Sequence, residues 1–279
     1  MLDILHFEFM RNALCAGILV SIACGVVGSL VVVNRLSALT GGVAHAAYGG
    51  LGLAVFMRWP PLIGAVIFSL ASSALMGYIS QTNKQRSDTV IGVLWAAGMA
   101  FGILMIDLSK GYYVDMMSYL FGSILAVSPA SIVCMALLDV LIILLVVLLY
   151  KEFAGMSYDE EFALISGVPV RALYFILLLL IALSIVLLIR VVGLILVIAL
   201  FTIPASIAEL FTKNLRYIML IATLFGMLFT VSGLMLSYYL NITSGATIIL
   251  VASAVYGIAM LWSRVMTKKR LITIQPSQE

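Results

Sequence analysis

LSALTGGVAHAAYGGLGLA, residues Leu36–Ala54, contains the one histidine that lies inside a hydrophobic segment, His45. Five glycines surround it: Gly41, Gly42, Gly49, Gly50 and Gly52. An imidazole is a poor guest in lipid, so it must pair, face a water-filled cavity or bind something. Glycine lets the backbone bend, unwind or pack closely beside that ring. The segment therefore reads as the lining of a pathway. The plainer reading is a helix-packing face with a hydrogen-bonded histidine. How the segment is counted decides the fold. Its apolar run, Val43–Met57, is about fifteen residues long and is stopped by Arg58-Trp59-Pro60-Pro61. That is short of the roughly twenty residues that cross a bilayer. We expect it to be broken or only partly spanning, which gives eight full crossings. Counted as a full span it gives nine, with the N-terminus outside.

Working outward, the chain has 279 residues, of which 64% are hydrophobic and 10% charged. Its mean hydropathy is +1.24. This composition excludes a water-soluble globule and specifies an all-α polytopic membrane protein, because lipid-exposed backbone must satisfy its own hydrogen bonds. Met1–Met10 is mildly amphipathic, with Asp3, His6 and Glu8, and is expected to be an interfacial segment rather than a cleavable signal. A single transmembrane domain should occupy residues 11–263, with short irregular or re-entrant helices among its spans. Full spans are expected at about Arg11–Val33, Leu62–Ile79, Thr89–Ile106, Ala130–Tyr150, Leu173–Ile189, Val192–Leu210 (interrupted by Pro204), Tyr217–Leu240 and Gly245–Trp262. Met116–Leu125 should add a short helix, and Lys151–Val170 is a long polar loop.

Charge sets the orientation. Lys84 and Arg86 mark one loop as cytoplasmic, and Arg264, Lys268, Lys269 and Arg270 mark the tail, residues 264–279, likewise. The net charge of +3 is small and sits at helix ends, so it argues for topology and against nucleic acid. Cys15, Cys24 and Cys134 lie in apolar runs without paired spacing and read as small hydrophobes.

No phosphate-cradling G-x-x-x-x-G-K-S/T run, no HExxH and no Ser-His-Asp set appears. The chain is not itself a catalyst, and any energy source other than an ion gradient must come from a partner. The most specific local signal is SYDEEFALISGVPV, Ser157–Val170. Asp159, Glu160 and Glu161 suit a helix start, Phe162 and Ala163 follow, and Gly167 suits its C-terminal cap. A short capped helix with exposed apolar residues fits a partner's groove as well as it fits an ordinary surface loop.

Seven segments, in order, carry a resemblance. They are NALCAGILVSIACGVVGSLVVVNRLS (Asn12–Ser37), AHA (Ala44–Ala46), SDTVIGVLWAAGMAFG (Ser87–Gly102), DMMSYLFGSILAVS (Asp115–Ser128), YDEEFALISGVPV (Tyr158–Val170), RVVGLILVIALFTIPAS (Arg190–Ser206) and SGATIILVASA (Ser244–Ala254). Across roughly residues 10–263 the chain resembles the membrane permease subunits of bacterial ABC importers for zinc and manganese. The resemblance implies a homodimer of about eight spans per subunit in the cytoplasmic membrane. It also implies separate ATPase subunits that bind ATP and Mg2+, and an extracellular metal-binding protein. Zn2+ or Mn2+, with Fe2+ as a third option, would be the transported substrate, moved by alternating access. The Asp159–Gly167 helix then looks like the coupling helix, with Glu161, Ala163 and Gly167 as its pattern.

The family's G-D-A-x-x-H-A run matches here at His45, but the aspartate position is Gly41 and the preceding glycine is Thr40. The resemblance thus implies His45 as a metal contact, beside Gly41, Gly42, Gly49 and Gly50 on the pathway and Pro204, with Gly193, at a gate. Two acids are candidates to replace the missing carboxylate. Glu209 follows Pro204, though it also suits an interface position beside Lys213. Asp139 lies mid-run in MALLDVLIILL, as a pathway acid or a structural acceptor. Asp107 and Asp115 are expected in outer loops. The alternatives are a proton-coupled secondary transporter, which would show repeats and several mid-membrane acids, and a permease for a metal chelate. The fifteen methionines are scattered and read as core packing rather than a copper route.

Overall fold

The computed structural model describes residues 7–82, 87–109, 122 and 124–274. Helices make up nearly all of it: α1 Glu8–Val33, α2 Ser37–Phe56, α3 Pro61–Thr82, α4 Ser87–Leu108, a 3-10 turn Ile124–Ala126, α5 Pro129–Leu148, α6 Tyr150–Tyr158, α7 Glu160–Ile165, α8 Val170–Val192, α9 Leu194–Phe211, α10 Leu215–Leu240 and α11 Ser244–Ile274. Among the described residues nine of these are long and apolar enough to cross a membrane: all except the 3-10 turn, α6 and α7.

The histidine-bearing segment corrects the expectation of a short or broken piece. α2 is one continuous helix of 20 residues. Its glycines do not unwind it. They let neighbouring backbones approach: a Cβ at Gly50 would run into the Gly64 carbonyl of α3, and one at Gly52 into the Gly102 carbonyl of α4. Lipid supplies no hydrophobic drive between helices, so such close packing is what holds them together. Arg35 and Arg58 bound α2 in left-handed conformation, with φ of 57° and 58°. Each closes the preceding helix with a six-residue bond: Leu36 N–H donates to Val31 at 2.8 Å, and Trp59 N–H to Ala54 at 2.8 Å.

Helix direction agrees with α2 running the length of the bundle like the other long helices. Gly17 and Gly25 of α1 face Thr230 and Thr223 of α10, so these two helices are antiparallel. Among the described residues, six long helices separate them. Removing α2 alone from the count would make α1 and α10 parallel. Likewise α2 runs parallel to α4, with Gly42 against Ile91 and Gly52 against Gly102. α3 runs antiparallel to α8, where Ser73 Oγ donates to the Leu178 carbonyl at 3.1 Å and Ser69 Oγ to that of Ala182 at 3.5 Å. α1 lies at the centre, packed by α5, α9 and α10. Its Ser21 hydroxyl meets that of Thr230 at 3.2 Å.

Three further expectations are corrected. Lys151–Val170 is not one loop, since α6 occupies Tyr150–Tyr158 before α7 begins. Pro204 does not interrupt its span, because α9 runs through it as a buried residue. α8 does not close at Arg190 but continues to Val192 and ends at Gly193, whose φ of 80° and ψ of 161° favour glycine. The expected interfacial segment lies mostly outside the described residues, although Glu8–Met10 form the first turn of α1. Lys84, Arg86, Asp115 and most of Met116–Leu125 also fall outside them.

Candidate functional site

His45 is the ninth residue of α2 and sits near mid-depth of its helix. Trp95 of α4 stacks on it, with ring centroids 4.2 Å apart and planes 12° apart. The stack fixes the imidazole plane. His45 Nδ1 is buried and has no hydrogen-bond partner among the described residues. One turn toward the helix start, Gly41 faces open space: a Cβ placed there would meet nothing within 4 Å. Gly92 on α4, one turn before Trp95, is equally open. Positions 41 and 45 are four apart and share a helix face. The other candidate glycines differ from Gly41. Gly42, Gly49 and Gly50 are packed against Ile91, Phe68 and Gly64.

Asp139 lies in the buried stripe of α5 that also contains Met135, Leu138, Ile142 and Val146. It is 4% exposed, and its Oδ2 has no hydrogen-bond partner among the described residues. An unpaired buried carboxyl oxygen inside a membrane span is costly and marks a position worth testing. Glu209 sits in a different setting. It is 39% exposed in the last turns of α9 and pairs with Lys213 at 3.4 Å. No cluster of three or more His, Cys, Asp or Glu side chains forms within the described residues. Asp107 is exposed near the end of α4.

The polar end of the bundle carries the second candidate surface. Asp159 caps α7, its carboxylate accepting the Phe162 N–H at 2.9 Å. Gly167, with φ of 81°, closes it: Gly167 N–H donates to Leu164 at 3.1 Å and Val168 N–H to Ala163 at 3.0 Å. Ala163 faces inward toward Gly155 of α6. Phe162 and Ile165 face out, 66% and 86% exposed. Large apolar side chains that exposed, on the polar end of a membrane protein, suit a covering partner.

Sequence reasoning missed the ties that anchor this surface. Tyr158, just before the cap, donates its hydroxyl to the Lys213 carbonyl at 2.5 Å and accepts the Leu215 N–H at 2.6 Å. Asn34 Nδ2 donates to Ser157 Oγ at 2.9 Å. α6 and α7 are thus linked both to the α9–α10 turn and to the α1–α2 turn that leads into the His45 helix. Trp95 was also missed. Its only signal in the sequence is a bulky aromatic among small residues in VLWAAG.

A bundle of long apolar helices with a capped surface helix has the build of a multi-pass membrane protein. The chain belongs to the ABC 3 transport family, whose model matches residues 6–263. It is 51% identical to an uncharacterized membrane protein of Synechocystis, over 95% of this chain and 94% of that one. It is 32% identical to the manganese transport system membrane protein MntC of Halalkalibacterium halodurans, over 94% of this chain and 89% of that one. Among solved structures it is similar to PsaBC from Streptococcus pneumoniae in complex with Fab, with a TM-score of 0.83 at 31% identity, covering 92% of this chain and 93% of that chain.

Proposed function

We propose that this chain is the membrane subunit of an ATP-driven importer of a divalent metal ion, zinc or manganese. Two copies would frame the pathway in the cytoplasmic membrane, separate ATPases would bind the α7 face, and an extracellular metal-binding protein would deliver the ion. Family membership and the manganese-transport names of relatives such as MntC support this reading. The proton-coupled alternative has no such support. Orientation follows from charge. Arg35, Lys151, Arg171, Lys213 and Arg216 sit on segments at the α7 end. On this reading that end is cytoplasmic, and nine crossings would leave the start of α1 outside.

The observation that carries the proposal is the unpartnered, buried Nδ1 of His45 beside the open face at Gly41. A neutral imidazole with a free lone pair is a donor for Zn2+, and with oxygen partners for Mn2+. His45 thus contacts the ion, and Asp139 is the second donor to test. Glu209 is the weaker candidate, because its carboxylate is engaged by Lys213. A sparse ligand set suits transport, since the ion must leave as well as enter. ATP-driven movement at α7 would reach α2 through Asn34 and reach the α9–α10 turn through Tyr158, tilting spans to alternate access.

The test is uptake of Zn2+, Mn2+ and Fe2+ into vesicles holding the chain with its ATPase, with and without ATP. ATP-dependent uptake that collapses in His45→Ala is the expected result. Full uptake in that variant would reduce His45 to packing and move the site to Asp139. Uptake driven by a pH gradient without any ATPase would overturn the importer reading.

A further inference from the structure

Where α5 ends and α6 begins, a cleft of about 610 Å³ opens between these helices and the first turns of α10, with α1 behind it. Ile143, Val147 and Leu220 form apolar walls that face the lipid side, all three of them exposed. The upper rim is polar and lies at the end of the bundle where the charged turns gather. The Arg216 guanidinium is stacked over the Tyr150 ring, 4.5 Å from its centroid, which holds it at the rim. Lys151 lines the same cleft. Glu152 also lines the cleft, and its buried Oε2 accepts no hydrogen bond among the described residues.

The set is lopsided for a purely anionic ligand. Two cations at headgroup depth attract a phosphate, but a carboxylate in the same cleft repels it and itself needs a donor. We propose that the cleft binds a phospholipid with a phosphoethanolamine headgroup. Arg216 and Lys151 take the phosphodiester, the primary ammonium pairs with the Glu152 carboxylate, and the acyl chains lie along Ile143, Val147 and Leu220. Phosphatidylglycerol supplies the anion but no positive charge for Glu152. Phosphatidylcholine supplies the positive charge but no N–H. This assignment depends on the spans crossing a bilayer and not on the transported ion.

The test is native mass spectrometry of the full chain released from mixed micelles. These hold equal amounts of phosphatidylethanolamine, phosphatidylglycerol and phosphatidylcholine with matched acyl chains. The wild type should retain phosphatidylethanolamine in several-fold excess over the other two. Glu152→Leu should lose the preference over phosphatidylcholine, and Arg216→Gln should lose bound lipid of every class. Either variant suffices if the other fails to elute as a folded species. Equal retention of the three lipids by the wild type overturns the assignment. So does a preference for phosphatidylglycerol, a preference that survives both substitutions, or a folded wild-type protein that retains no lipid.

Discussion

At the scale of single residues, Gly41 and His45 frame the most direct experiment on metal choice. They lie four apart on one helix face, and a side chain at position 41 would extend into open space. Gly41→Asp should therefore fold, and in the proposed importer it would put a carboxylate within reach of an ion held at His45. Carboxylate oxygen favours Mn2+ relative to an imidazole-only site. In competition uptake the variant should raise the Mn2+/Zn2+ ratio by about tenfold, roughly 1.4 kcal/mol of relative binding. An unchanged ratio would mean that position 41 does not face the ion. His45 stood out in the sequence as a candidate because an imidazole inside a span demands an explanation. Its stacking partner was not, because Trp95 is fifty residues away in the chain and reaches it only when α2 and α4 run side by side.

Among the elements, α2 and α7 show why some helices could be read from the sequence and others could not. α7 was legible because its determinants are local: Asp159 at the N-cap, acidic residues in the first turn and Gly167 at the end. α2 was misjudged because a glycine-rich run scores poorly as an isolated helix. What sustains it is contact between backbones of different helices, which no one-dimensional pattern displays. Gly50 shows the cost of losing that contact, since an added Cβ would meet both the Gly64 carbonyl and Phe68. Gly50→Ala should destabilise the fold by about 1–3 kcal/mol through overpacking, read as a lower melting temperature in detergent. Gly41→Ala is the matched control and should leave that temperature unchanged or slightly raised. Gly193 makes a separate demand. Its backbone lies where other residues are strained, so Gly193→Ala should cost about 1–3 kcal/mol and loosen the α8–α9 junction.

For the whole molecule, the order of the spans and the ties at the polar end act together. Because α1 and α2 both cross, the turn between them lies at the same end as α6 and α7, and Asn34 bonds to Ser157 there. The α9–α10 turn is held at that end by Tyr158. In the proposed importer, a push on α7 is therefore delivered at two separate places in the bundle. Ile165→Asp should weaken ATPase association by about tenfold or more, about 1.4 kcal/mol, because a charge replaces an apolar side chain that would be buried on docking. Tyr158→Phe probes a different step. It keeps the ring and removes both hydrogen bonds of the hydroxyl, while Phe162 and Ile165 stay in place. The ATPase should still bind and hydrolyse ATP. Metal moved per ATP should fall several-fold, because the α9–α10 turn no longer follows α7. Measuring ATP hydrolysis and metal uptake on the same vesicles separates the two outcomes. A parallel loss of both would place Tyr158 in docking. Full retention of both would mean that the hydroxyl only satisfies the start of α10.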